Sequence, residues 1–144
     1  MGAATAMLYT NTDERISAVC YDSPFSDFTK LAKELCKKQV SLPNFVVDTA
    51  LMFVRKTILG KNNVDIYKLM PINYSSKTTT PGFFVHAMND ELIPLEHSLN
   101  LFEVYAGEKS LNVCEGMHNT QRQKHIIEKI GKFLAKHLCK VKYL

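Results

Sequence analysis

Apolar positions recur along this chain in two periods, one suited to helices and one to strands. Residues 1–11 are small and helix-friendly (Ala3, Ala4, Ala6, Met7, Leu8), with no Ser, Thr, Asp or Asn ahead of them as a cap. Ile16 to Tyr21 is a short apolar run ended by Asp22-Ser23-Pro24, which predicts a buried strand and a turn. Phe28, Leu31, Ala32, Leu35 and Cys36 then follow helical spacing. A second helix is expected after Ser41-Leu42-Pro43, carrying Val46, Val47, Ala50, Leu51, Val54 and Ile58 and closed by Gly60. Tyr74 to Pro81 reads as a polar loop, and Gly82 to Met88 as a strand. Pro94 opens a helix with Leu95, Leu99, Phe102 and Ala106 as its stripe. Leu111 to Cys114 is a brief strand, and Ile126, Ile127, Ile130, Phe133, Leu134 and Leu138 define a closing amphipathic helix.

Strands that alternate with helices in this way imply an α/β fold, with a parallel sheet covered on both faces. On such sheets function gathers at the carboxyl ends of the strands. That rule singles out Asp22, Asn89-Asp90 and Gly116-Met117-His118.

Composition narrows the picture. A chain of 144 residues with 46% hydrophobic and 22% charged residues is large enough for one domain with a core. Its formal charge of +4 arises largely where Arg122, Lys124, Lys129, Lys132, Lys136, Lys140 and Lys142 face Glu128. With three arginines in the chain and no aromatic residues among these lysines, this reads as a solvated face, and no nucleic-acid partner is expected. Cys20, Cys36, Cys114 and Cys139 are scattered among apolar neighbours without CxxC spacing, which suits small buried hydrophobes in a reducing compartment. His86 reads as a strand residue facing core or loop, and His97, His125 and His137 fall on helices without partners at metal-ligand spacing, so neither metal nor cofactor is expected. No apolar run reaches the roughly 20 residues of a membrane span. No basic signal-peptide start is present either, so a cytoplasmic location is the default expectation.

Asp90 ends an apolar strand and precedes a helix; alone, it could be a turn former or helix cap. His118 also follows a strand, behind Gly116, which lets the backbone turn sharply. Together they carry more. An acid and a histidine on loops after consecutive parallel strands are placed side by side, as acyl-transfer chemistry needs: the carboxylate fixes the histidine tautomer and stabilises the imidazolium. Their order, acid before histidine, is that of a nucleophile–acid–histidine chain.

Here the sequence resembles a family. His86-Ala87-Met88-Asn89-Asp90 with Pro94 is similar to the acid loop of α/β-hydrolases, with Ala87 in place of a usual glycine. Gly116-Met117-His118 resembles the histidine loop, 28 residues beyond Asp90. Met1-Gly2-Ala3-Ala4-Thr5-Ala6 looks like the back half of a Gly-x-Ser-x-Gly nucleophile elbow and its small-residue helix. The likeness is strongest to serine hydrolases of the peptidase, monoacylglycerol lipase and protein-thioesterase type.

The resemblance implies the C-terminal part of an α/β-hydrolase domain over residues 1–144, with residues 26–74 at the place of the cap helices. It implies a serine hydrolase acting on a small acyl ester, thioester or peptide substrate. Asp90 and His118 would be its catalytic pair, and Met1 and Gly2 its elbow and oxyanion positions. The nucleophile would fall one position before Met1, so the chain alone is expected to be inactive. A non-catalytic hydrolase remnant serving as an interaction module is the alternative. Asp22 is a second candidate acid, one strand earlier, and Ser23 reads as a turn residue. The apolar stripes of the cap region would line a substrate pocket or pack on one another. Oligomeric state is left open.

Overall fold

The computed structural model describes residues 1–40 and 42–138. Cys139, Lys140, Lys142 and Ser41 lie outside the described residues. The described chain divides into two compact units, residues 1–26 with 71 onward, and residues 27–70.

The larger unit is built on three parallel strands, β1 (Val19–Asp22), β2 (Gly82–Ala87) and β3 (Lys109–Cys114), in spatial order β1-β2-β3. Asp22 pairs in register with Val85, and Ala87 with Cys114. The central strand β2 is buried at every residue, as its sequence, apolar but for His86, requires for a strand covered on both faces.

Alternation along β2 builds two cores. Phe84 packs with Met7 of α1 (Gly2–Thr10), Tyr21, and Leu101 of α5 (Leu95–Val104), joined by Tyr105. Tyr21, Phe84 and Tyr105 stack at ring separations of 5.0–6.0 Å, a tilted and edge-on aromatic cluster. On the opposite face Phe83 and Val85 meet Cys114 and then Ile126 and Phe133 of α6 (Lys124–Leu138).

The smaller unit contains α2 (Phe28–Val40), α3 (Asn44–Asn62) and a short 3-10 turn, Ile66–Lys68. Its buried residues are Leu31, Val47, Leu51 and Ile66. Lys33 pairs with Asp48 at 2.6 Å. Arg55 forks onto Asp65 at 2.7 and 2.6 Å and lies over the Tyr67 ring. Its two stems are tied by the Phe28 amide, which donates to the Leu69 carbonyl at 3.0 Å.

Several expectations shift. The first strand begins at Val19 rather than Ile16. Gly60 lies inside α3, which Asn63 closes instead, its φ of 54° being a left-handed conformation that Asn tolerates. The expected polar loop at 74–81 opens with the helix α4 (Ile72–Ser75) and is partly interior: Ser75 and Thr78 are buried. The buried face of α5 is His97, Ser98 and Leu101, while Leu99 is exposed.

Candidate functional site

The exits of the three strands continue their pairing into the loops. The Ser23 amide donates to Val85 at 2.9 Å, the Met88 amide to Cys114 at 2.7 Å, and the Asn89 amide to Gly116 at 3.1 Å. These bonds set the acid loop beside the histidine loop before any side chain is considered. Gly116 then turns the chain at φ 117°, and a Cβ there would lie 2.9 Å from the Thr120 side chain, so the bend requires glycine.

The result is a bond between the two residues singled out from sequence: His118 Nδ1 lies 2.7 Å from Asp90 Oδ2. The Asp90 side chain is fully covered and that of His118 is 27% exposed. An ionised carboxylate only accepts, so Nδ1 carries a proton, and in the neutral ring the lone pair is then on Nε2. The other carboxylate oxygen accepts from the Leu92 and Ile93 amides at 3.0 and 2.8 Å. Burial pushes the Asp90 carboxyl upward, but the Ile93 amide, His118 and Ser23 hydrogen bonds outweigh it and hold it below its ordinary value.

Beneath the acid loop lies His86, wholly buried on β2. Its Nε2 faces the Ile93 carbonyl at 2.8 Å, which can only accept, so Nε2 donates and Nδ1 takes the Ser98 hydroxyl proton at 2.6 Å. Burial depresses its basicity, against the Ile93 carbonyl and the Asp90 charge. Nε2 is also 3.6 Å from Asp90 Oδ2, beyond hydrogen-bond range, so the imidazole braces the acid loop through the Ile93 carbonyl and not through the carboxylate. A parallel brace joins Ser26 to His97 of α5, hydroxyl to Nδ1, at 2.7 Å.

Asp22, the second candidate acid, takes a different partner. Arg122 forks onto it, with Nη2 to Oδ1 at 2.7 Å and Nε to Oδ2 at 3.0 Å. The Asp22 bond raises the basicity of Arg122 further. Ser23 is buried at a left-handed φ of 47°, with its hydroxyl donating to Asp22 and accepting from Arg122, each at 3.4 Å. Met1 is the N-cap residue of α1, its carbonyl accepting from the Thr5 amide at 3.0 Å, and Gly2 begins that helix. Neither takes part in the Asp90–His118 pair.

Sequence reasoning missed Arg122 and the Ser98–His86 brace. Arg122 was counted with a run of surface lysines; its position four residues past His118, as one of three arginines in the chain, was the available signal. Among the described residues no group of three or more His, Cys, Asp or Glu side chains is arranged to hold a metal ion, and no helix is long and apolar enough to cross a membrane.

No protein-family model matches the chain. It is 28% identical over 117 residues to the uncharacterized protein YqkD of Bacillus subtilis (strain 168), an alignment covering 80% of this chain and 37% of that one. Among solved structures it is similar to an acetyl xylan esterase from Paenibacillus sp. R4, with TM-score 0.66 and 15% identity over 94% of this chain and 42% of the other. It is also similar to the acylaminoacyl peptidase of Pyrococcus horikoshii, with TM-score 0.67 and 16% identity over 99% and 24%. For an esterase of Pyrococcus furiosus the TM-score is 0.64 and the identity 20%, over 94% and 50%. The chain thus spans half or less of each of these proteins. At these identities the likeness speaks for the fold alone: the chain has the C-terminal part of an α/β-hydrolase fold, three parallel strands with flanking helices.

Proposed function

We propose that this chain supplies the acid and the base of a serine hydrolase acting on ester, thioester or peptide acyl bonds. The observation that carries the proposal is the 2.7 Å bond from His118 Nδ1 to a fully covered Asp90 carboxylate, which puts a proton on Nδ1 so that the neutral ring keeps its lone pair on Nε2. The structural neighbours with the same fold are esterases and a peptidase, which favours acyl transfer over other chemistries.

In this reading the nucleophile is a serine one position before Met1 in a longer protein. Its Oγ attacks the substrate carbonyl carbon while its proton passes to His118 Nε2. The tetrahedral adduct collapses, and Nε2 returns the proton to the departing alkoxide, thiolate or amine. Water then repeats the sequence on the acyl-serine and releases the acid. Asp90 keeps its negative charge throughout, orienting the ring and stabilising the imidazolium. The Met1 backbone N–H would be one donor to the oxyanion. Residues 27–70, inserted between β1 and β2, are read as the cap that selects the acyl or leaving group.

Labelling with a fluorophosphonate probe tests this. The 144-residue chain should not label. A version extended upstream through a strand ending in Gly-x-Ser should label stoichiometrically and lose reactivity when His118 becomes Ala. Labelling of the 144-residue chain, or undiminished labelling of the extended His118→Ala protein, would overturn the assignment.

A further inference from the structure

We propose that Arg122 is a positioning residue, clamped by Asp22, that holds the backbone of the histidine loop so that His118 stays aligned on Asp90. The proposal rests on reading Asp90 and His118 as acid and base, and names a device that keeps this pair in place.

The hydrogen bonds of one guanidinium carry the argument. Arg122 Nη1 donates to the carbonyls of Thr120 and Met117 at 3.1 and 3.3 Å, and Nη2 reaches the His118 carbonyl at 3.4 Å. Three carbonyls of the loop that carries His118 therefore converge on one side chain, which is itself 11% exposed. The remaining edge of the fork engages both oxygens of Asp22. Asp22 is the last residue of β1, fixed in register opposite Val85. The loop after β3 is thus anchored across the sheet to the exit of β1, over the central strand whose own exit carries Asp90.

Two carboxylates therefore hold one loop by two handles. Asp90 holds the imidazole at Nδ1; Asp22, through Arg122, holds the backbone on either side of the ring. The backbone bond from Asn89 ends at Gly116 and the Nδ1 bond holds only the ring, so the carbonyls beyond Gly116 take their tether from Arg122; misplacement of a reacting group by about 1 Å costs on the order of a hundredfold in rate. The arginine has no donor edge left over for a substrate carboxylate or oxyanion, since Nε, Nη1 and Nη2 are all engaged within the chain. It acts through the backbone, not on substrate. Lysine would not replace it, because one ammonium cannot span a carboxylate and three carbonyls in the plane of a fork.

The pair also borders solvent, with Asp22 47% exposed, so its contribution to global stability is expected to be small. That separates positioning from simple bracing and shapes the test. The 144-residue chain is labelled with ¹⁵N-histidine, and the His118 Nδ1–H proton is followed by NMR for chemical shift and exchange with water.

In the parent a low-field Nδ1–H resonance is expected that disappears in Asp90→Asn. In Arg122→Met, Arg122→Lys and Asp22→Asn its exchange should quicken by about tenfold or more, while the thermal midpoint falls by no more than about 3 °C. Unchanged exchange in folded Arg122→Met and Asp22→Asn would overturn the clamp while leaving the acid–base pair intact. So would loss of the resonance only in step with global melting. A parent resonance that is absent, or indifferent to Asp90→Asn, would instead bring down the acid–base reading on which the clamp rests. Asp22→Asn is isosteric at a half-exposed site, so a folded comparison remains available if Arg122→Met does not fold.

Discussion

Replacing Asp90 separates its bonds to the backbone from its bond to His118. The carboxylate accepts from the Leu92 amide at 3.0 Å, the Ile93 amide at 2.8 Å and His118 Nδ1 at 2.7 Å. The Leu92 amide is in an exposed setting, so water replaces that bond at little cost. The other two are part-buried, and a bond to a charged group contributes about 1.5–3 kcal/mol net. Asp90→Ala removes both, and relief of the desolvation of the buried charge offsets part of the loss, for a net cost of roughly 2–3 kcal/mol. Asp90→Asn keeps an oxygen for the two amides. It sets an NH2 group against Nδ1–H and obliges the imidazole to change tautomer, for about 1 kcal/mol. The alanine variant should therefore be less stable than the asparagine variant by more than about 1 kcal/mol, or roughly 3–4 °C in thermal midpoint for a chain of this size.

The dependence on pH has a definite sign. The folded-state value of Asp90 lies below its ordinary value of 3.8, so its stabilisation is fully present above that value. It is lost as pH falls through the lower, folded value. Urea unfolding followed by far-UV circular dichroism, at pH 7 and then below pH 3.8, measures both effects. The gap between parent and Asp90→Ala should be full at pH 7 and shrink in acid. Equal stabilities for the alanine and asparagine variants at pH 7, or a gap that does not change in acid, would refute the bond-by-bond account.

Two further predictions concern other parts of the chain. A Cβ at Gly107 would lie 2.6 and 2.7 Å from the Thr79 and Thr80 carbonyl oxygens, which are backbone and yield little, whereas at Gly131 in α6 it would meet open space. Gly107→Ala should cost about 2–3 kcal/mol and Gly131→Ala should stabilise by about 0.5–1 kcal/mol, both read from urea midpoints; effects of the same sign would count against the packing described. Burial and the neighbouring Asp22 charge push the Cys20 thiol up to about 11. Its alkylation by iodoacetamide should therefore climb by about tenfold per pH unit from pH 8 to 10, where only the rare thiolate reacts. A plateau by pH 9, resolved by peptide mass spectrometry, would contradict the burial.

The parts of this fold that were legible in the sequence are those where one residue type serves one physical demand. Gly82 to Ala87 reads as a strand covered on both faces because, His86 apart, its residues are apolar or small, and all six positions are buried. The order of strands and loops was enough to set Asp90 beside His118, since parallel strands deliver their following loops to one edge. The failures share a cause. Periodicity reports apolar burial, and on α5 the buried positions next to Leu101 are His97 and Ser98. Those polar groups can be interior only because Ser26 and His86 lie across the fold to meet them, at 2.7 and 2.6 Å. A pattern read along one helix contains no sign of a partner 71 residues away.

The same blindness hid Arg122, whose partner Asp22 is 100 residues distant. Read locally, Arg122 is a surface charge and Asp22 a second candidate acid. Read across the sheet, each is one half of a pair whose other half arrives only with the tertiary structure. Candidate acids at neighbouring strand exits are therefore told apart by the partner each one receives. Asp22 receives a permanent cation in Arg122, while Asp90 receives the imidazole of His118.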